Sequence, residues 1–410
     1  MSNMKRVVIT GIGAVTPVGN DVTTLWKNAK KGVCGIAEIT AFDTTAHKIK
    51  LAAEVKDFNA TTLLTKQEVR KLDPFIQFAV FAAHEAYTDA GLAANVNKER
   101  IGVSVASGIG GLSTIEENAK KLRDVGPNRI SPHFIPKALI NLAAGNVAIY
   151  LGAKGICHTI VTACAGGTDA IGTAFQHIEA NRADVMIAGG TEASITPLGV
   201  AGFSIIRAIS ESIDKTRASI PFDKERNGFV IGEGAGMLVL ESLEHAQARG
   251  AKIYGEVVGY DAFHVTAPSE GGEGAMRAMK LAIKNAGIIP EVIDYINAHG
   301  TSTSFNDRIE TKAVKEAFGN HASKLAMSST KGMTGHLLSA TGAVEAILSI
   351  KSLEKGYVLP TLNYKVEDID CDLDIVPNVG REQDIKYAMS NSLGFGGHNS
   401  SIIFKKWEGI

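Results

Sequence analysis

Cysteine is scarce in this chain. Four occur among 410 residues, at Cys34, Cys157, Cys164 and Cys371. None forms a Cys-x-x-Cys pair and no Cys/His cluster has zinc spacing, so neither a disulfide framework nor a structural zinc is expected. A reduced, cytoplasmic setting follows. An excess of one charge is also missing, since 42 basic residues face 43 acidic ones. No overall basic field points to nucleic acid, and no acidic block points to a disordered tail. Apolar runs are short. None reaches about 18 uncharged residues, so no membrane span is expected. The opening stretch, MSNMKRVVITGIGAV, lacks the apolar core and cleavage site of a signal peptide. The dinucleotide fingerprint is missing as well: Gly11, Gly13 and Gly19 follow an apolar run, but their spacing is wrong.

What the chain does have is apolar content, glycine and alternation. It is 45% hydrophobic, and 43 residues are glycine, against an average of about 7%. A core of this size suits two domains or one duplicated one. The best internal boundary falls near residue 250, giving halves 1–250 and 251–410, although self-similarity between them is weak. Short β-rich runs alternate with longer helical ones; the patterns predict a strand over 228–241 and helices over 136–151, 273–286 and 335–355, among others. Within 165–180, Ile171, Ala174, Phe175 and Ile178 make one apolar stripe at helical spacing. The alternation predicts an α/β fold with sheets covered on both faces.

Three apolar runs end in small residues and then a reactive one. TIVTAC ends on Cys164, IDYINAHGTST carries His299, and LAMSSTKGMTGH carries Lys331 and His336. A fourth, YAMSNSLGFGGHN, ends in a glycine-rich loop. Strand ends of α/β sheets are where ligands bind, so these four segments are expected to converge. Cys164 begins a helical segment, where free N–H groups and the helix dipole favour thiolate. The other three cysteines lack that setting and read as packing residues. His336 reads as opening a helix, which disfavours the imidazolium and predicts a neutral donor. Two neutral histidines suit stabilisation of an enolate oxygen. Lys331 is expected to orient the site through a carboxylate such as Glu310. The glycines of GFGG, 394–397, would let the Phe395 N–H complete an oxyanion hole with that of Cys164.

These four motifs, in this order and across essentially the whole chain, resemble the β-ketoacyl-acyl carrier protein synthases. The Cys–His–His set is similar to the elongating type II branch. The resemblance implies a thiolase fold: duplicated halves in a five-layer α-β-α-β-α arrangement, assembled as a homodimer. It implies a decarboxylating Claisen condensation, in which Cys164 holds the acyl chain as a thioester and His299 and His336 stabilise the enolate of malonyl-acyl carrier protein. No cofactor is required; the substrates bring phosphopantetheine on acyl carrier protein. Thr301 and Thr303 match positions that contact that arm. Ile109, Phe134 and Phe203 match acyl-pocket positions, with Phe134 lent by the partner subunit. Asp261, His264 and Thr266 match a gating loop that works with Gly394, Phe395 and Gly396. Asn297, Glu345, Ser390 and Asn391 match a site for Na or K. Arg70, Lys71, Arg129 and Arg207 stand where a basic patch would meet the acidic carrier. Two other readings share the resemblance: a ketosynthase of a polyketide or specialised lipid pathway, and a non-catalytic chain-length partner. The second is disfavoured by Cys164, His299 and His336. A coenzyme A thiolase would want another cysteine in NSLGFGGHN, which has none. Gly167 departs from the family pattern and is expected to loosen the helix start. Ile209 and His398 are further departures.

Overall fold

The computed structural model describes residues 4–92, 96–265 and 272–409. Ten strands form the main sheet. They are β1 (Val7–Val15), β2 (Ile101–Ala106), β3 (Cys157–Ile160), β4 (Val185–Glu192), β5 (Gly234–Ser242), β6 (Gly255–His264), β7 (Tyr295–Asn297), β8 (Ala326–Ser328), β9 (Tyr387–Gly394) and β10 (His398–Lys406). Their order is β8-β7-β9-β10-β6-β1-β5-β4-β2-β3. The two halves are the same diagram drawn twice. In each, the first strand pairs antiparallel with the last, the last antiparallel with the fourth, and the fourth parallel with the second, which is parallel to the third. The halves meet edge to edge where Val7–Ile9 pairs with Gly255–Val257. Duplication is thus written in the topology, where residue-level similarity is weak.

Five helices matter for the site: α1 (Pro74–Asp89), α2 (Gly166–Glu179), α3 (Glu273–Ala286), α4 (Asn306–Phe318) and α5 (Thr341–Lys355). Helix α1 begins where the Asp73 side chain accepts the Phe75 N–H and Pro74 takes the first turn, a pairing that satisfies orphan donors at the helix start. It packs outside β1 and β5, while α3 packs outside β6 and β10. Between the two halves of the sheet lie α2 and α5, in contact with each other. Helix α5 is buried on every side from Thr341 through Ile350, with Thr341, Glu345 and Ser349 the polar line among apolar residues. That is the pattern of a helix with sheet on both faces. The layers therefore run α-β-α-β-α. One core cluster joins Ile171 and Phe175 of α2 to Val344 and Ile347 of α5, and one further cluster fills each outer interface.

Most elements sit close to their expected places; the helix expected over 136–151 is instead two, Phe134–Ala138 and Leu142–Leu151, and three further differences bear on the site. The strand expected over 228–241 starts at Gly234; Phe229, Ile231 and Gly232 are held by isolated bridges instead. The helix expected from Gly335 starts at Thr341, after a short turn over Leu338–Ala340. A helix over Pro197–Ile205 was not foreseen. No described helix is long and apolar enough to cross a membrane.

Candidate active site

Cys164 lies in a tight turn between β3 and α2. The residue before it, Ala163, is in the left-handed region at φ 49°, a conformation that costs energy for alanine and is tolerated where a side chain must be aimed. Ser339 Oγ donates to the Ala163 carbonyl at 2.6 Å and fixes that turn. Cys164 is 7% exposed and faces a cavity of about 370 Å³. His299, His336, Thr301, Thr303 and Phe395 face the same cavity, with Phe203, Phe229 and Leu338 among its apolar walls. Three of the four strand ends thus supply the reactive groups and the fourth supplies the loop.

The two imidazoles stand edge to face, 5.3 Å apart and inclined at 85°. Each is fixed from behind. The His299 and Gly300 amides both donate to Glu310, at 2.8 Å each. The His336 amide donates to the Val230 carbonyl at 2.7 Å, and its Nδ1 lies 2.9 Å from the Thr341 hydroxyl. A hydroxyl donating to Nδ1 leaves the ring proton on Nε2. Burial, with the Lys331 charge nearby, pushes both histidines well below the ordinary imidazole range. Both are therefore neutral at neutral pH and able to donate one proton each. The neutral state of His336 was expected from a helix start. The helix begins five residues later, and desolvation is the cause instead.

Lys331 is 1% exposed and pairs with Glu345 at 2.5 Å, also donating to the His299 carbonyl. The expected partner, Glu310, serves the His299 backbone instead. Glu345 was expected among cation ligands; one of its oxygens is taken by Lys331. Its other oxygen, both side-chain atoms of Asn297 and the Ser390 hydroxyl are buried without a hydrogen-bond partner. Asn391, the fourth expected member, is engaged by Ser401 at 2.8 Å.

Burial pushes the Cys164 thiol up to about 11, while the N–H groups of Phe395 and of Cys164 itself, with Lys331, pull the other way. The expectation of a resident thiolate at a helix start is corrected: loss of water outweighs the helix end. The Phe395 and Cys164 amides, expected to form an oxyanion hole, both lie close enough to lower the thiol pKa. Gly394 permits this approach, because a Cβ there would lie 3.2 Å from the Cys164 and Ala165 nitrogens and 2.9 Å from the Thr162 carbonyl oxygen. Gly167 does not loosen the helix. A Cβ there would lie 2.7 Å from the Ser339 carbonyl oxygen and 2.8 Å from the Ala343 nitrogen, so glycine is what lets α2 and α5 touch.

Other expected residues fall at varied distances from the cavity. Gly394 and Gly396 line it, and Thr301 and Thr303 share a hydroxyl–hydroxyl hydrogen bond of 2.9 Å within it. Ile109 packs beside Phe203 in an apolar cluster behind the wall. Phe134 opens a short helix and is not part of the lining within one chain. Asp261 is bonded to Asn285 at 2.8 Å, and the ring of exposed His264 stands 5.5 Å from that of His398 across the β6–β10 pair. Thr266 lies outside the described residues. Arg70, Lys71, Arg129 and Arg207 are all exposed. Phe229 and Thr341 were not singled out from sequence. Phe229 stands 5.1 Å from His336, edge to face; its place inside an apparent strand hid it.

Comparison with known proteins gives one consistent result. The model of the β-ketoacyl synthase N-terminal domain matches residues 4–246, and that of the C-terminal domain matches residues 250–365. A 3-oxoacyl-[acyl-carrier-protein] synthase 2 of Staphylococcus aureus is 54% identical over 413 residues, with both chains fully covered. One of Synechocystis is 50% identical over 416 residues, again with both fully covered. Among solved structures, a β-ketoacyl synthase of Burkholderia phymatum is 33% identical, with 99% of this chain and 100% of that one covered and a TM-score of 0.92. A type II polyketide ketosynthase in complex with its acyl-carrier protein is 36% identical, with coverage of 99% and 100% and a TM-score of 0.90.

Proposed function

The chain belongs to the β-ketoacyl synthase family, and from that premise we propose that it is the elongating 3-oxoacyl-acyl carrier protein synthase of a type II fatty acid pathway. The observation that carries the reading is the shared cavity: one cysteine with two amides on its sulfur, facing two neutral histidines.

The reaction follows from that arrangement. An acyl thioester enters, and Cys164 sulfur bonds to its carbonyl carbon while the bond to the carrier sulfur breaks. The carrier thiol leaves with the proton that Cys164 gives up. The amides of Cys164 and Phe395 hold the oxygen that becomes negative in between. Malonyl-carrier protein then binds. Its carbon–carboxyl bond breaks, the carboxylate departs as carbon dioxide, and the electron pair of the bond moves into an enolate whose oxygen takes hydrogen bonds from His299 and His336. Neutral donors suit this step, since they stabilise the charge without quenching it by full protonation. The enolate carbon attacks the acyl carbonyl, the Cys164 thioester bond breaks, a 3-oxoacyl chain two carbons longer is released on its carrier, and the Cys164 thiolate takes a proton from water to restore the thiol. No electrons pass to a cofactor.

The finer readings rest on further features. Thr301 and Thr303 would hold the phosphopantetheine arm, and Arg70, Lys71, Arg129 and Arg207 would meet acyl carrier protein. Phe203, with Ile109 behind it and Phe134 of a second copy, would bound the acyl chain. Asp261, His264 and Thr266 would gate entry together with Phe395. A homodimer is supported by β3, one of the two edge strands of the sheet, with exposed Ile149 and Val161 nearby. The unpartnered oxygens of Glu345, Asn297 and Ser390 fit a Na or K ion, which would supply positive charge to a buried carboxylate. The halves 1–250 and 251–410 are proposed as the two structural units, and the cytoplasm as their location.

The test is mass spectrometry of intact protein and products after mixing with acyl- and malonyl-carrier proteins over a ladder of acyl lengths. An adduct on Cys164 and a 3-oxo product longer by two carbons are expected. Cys164→Ala should lose condensation, and His336→Ala should acylate without extending. Absence of adduct and product at every length would refute the assignment and favour a ketosynthase with its own dedicated carrier.

A further inference from the structure

Asp169 sits five residues beyond Cys164, in the first turns of α2, and is 5% exposed. Its carboxylate accepts hydrogen bonds from three hydroxyls on three different elements. Thr162 is on the turn before Cys164, Tyr260 on β6 at 2.9 Å, and Ser400 on β10. Its neighbour Thr168 is bonded to Ser392 on β9 at 2.8 Å. The start of α2 is therefore fastened to both arms of the β9–β10 hairpin. The tip of that hairpin carries Phe395, which faces the same cavity as Cys164, and Gly394 before it packs against the Cys164 nitrogen. The last pairs before the tip are Leu393 with Asn399 and Gly394 with His398. Ser392 and Ser400 are the pair immediately behind them. The same carboxylate that grips the hairpin also grips the turn that aims the thiol.

A buried carboxylate needs donors wherever it lies. It does not need donors drawn from the nucleophile turn and from the hairpin root together. We propose that Asp169 is a positioning residue for the oxyanion hole: it sets the separation between the Cys164 amide, which rides on the α2 turn, and the Phe395 amide, which rides on the hairpin. A side chain without that carboxylate lets the two amides drift apart, and oxyanion donors act only when both lie within hydrogen-bond reach of one oxygen. The hydroxyl of Tyr260, packed on the far side, extends the same brace to β6, whose end leads to His264. This role rests on the condensing function proposed above.

The test separates a hole from a nucleophile. Alkylation of Cys164 by iodoacetamide needs the sulfur but no oxyanion donor; acyl transfer from a carrier thioester needs both. Asp169→Asn keeps the shape of the side chain, and Ser400→Ala removes one strut while leaving α2 intact. The substrate is the acyl-carrier thioester on which the wild-type chain is fastest. Losing one oxyanion donor outright slows catalysis by on the order of 10²–10³-fold. Displacement is expected to slow Cys164 acylation about tenfold or more, at saturating carrier and with KM unchanged, in both variants. Iodoacetamide alkylation, which loses only the amide's share in stabilising the thiolate, should fall clearly less than acylation does, and the double variant should be no slower than Asp169→Asn. Unchanged acylation in the variants overturns the inference, and so does alkylation falling in step with acylation. If Asp169→Asn does not fold, Ser400→Ala gives the same two readings. A wild-type chain that is never acylated refutes the condensing function itself, a different failure.

Discussion

At Cys164 the protein sets burial against charge. Removing water from the sulfur favours the thiol, and two amides and the Lys331 ammonium favour the thiolate. Burial wins, and the thiol is pushed up to about 11. The attacking sulfur is then made only when a substrate is present to take the proton. Since thiolate is the nucleophile, alkylation of Cys164 by iodoacetamide should rise about tenfold per pH unit from pH 8 to 10. It should show no plateau near the ordinary thiol value of about 8.5. Peptide mapping of the labelled cysteine across that range reads this directly. A plateau below pH 8 would mean a resident thiolate. The identity of the cysteine was legible from its small neighbours. Its protonation was not, because burial depends on Phe395, Leu338 and His336, which arrive from 170 or more residues away in the chain.

At the level of elements, the site is made by the contact of α2 with the start of α5. Gly167 is the point of that contact, with backbone atoms on every near side. Gly167→Ala has nowhere to put its methyl except by moving one helix. Overpacking of this kind costs about 1–3 kcal/mol. The thermal midpoint should fall by a few degrees, and condensation should fall with it, because α2 carries the thiol and α5 follows His336. Differential scanning calorimetry beside a condensation assay checks both, and an unchanged midpoint would show slack between the helices. The periodic elements were legible: Glu273–Ala286 matches its apolar stripe from end to end. The errors cluster where tertiary contact overrides pattern. Phe229–Gly232 looks like strand but pairs only through single bridges to residues 209, 53 and 336. Residues 335–340 look helical, yet they turn so that His336 meets Val230 and Ser339 meets Ala163. Gly167 read as looseness for the same reason: the helix it touches is distant in sequence.

Across the whole molecule, buried titratable groups pull stability in opposite directions. Burial pushes Glu85 and Glu233 up to about 7, from an ordinary carboxylate near 4.5. For these, the folded state holds protons that the unfolded state has lost, so their contribution falls as pH rises from about 4.5 to 7. His299 and His336 are depressed well below 6.5. For them the unfolded state gains protons first, so their contribution falls as pH drops below about 6.5. Glu233 lies away from the condensing site and accepts one amide, from Val55 at 3.0 Å. Glu233→Gln keeps an oxygen for that amide and removes the charge. Its melting temperature should exceed that of wild type at pH 8 and lose that excess by about pH 4, below the unfolded carboxylate value; equal midpoints at both would show that water reaches this carboxylate. The mirrored strand order has a consequence of another kind. Val7 and Lys406, near the two ends of the chain, both pair with the stretch Gly255–Val257, and the Arg6 guanidinium lies 5.9 Å from the Trp407 ring. Arg6 and Trp407, toward the two ends of the described chain, therefore lie beside the link, near Arg249 and Gly250, that joins one half to the other. Which half is translated first is then an accident of where the ring was cut. A circular permutant opened at Gly250, with its old ends bridged by a short flexible linker, should fold and condense with the histidine half leading and the cysteine half following.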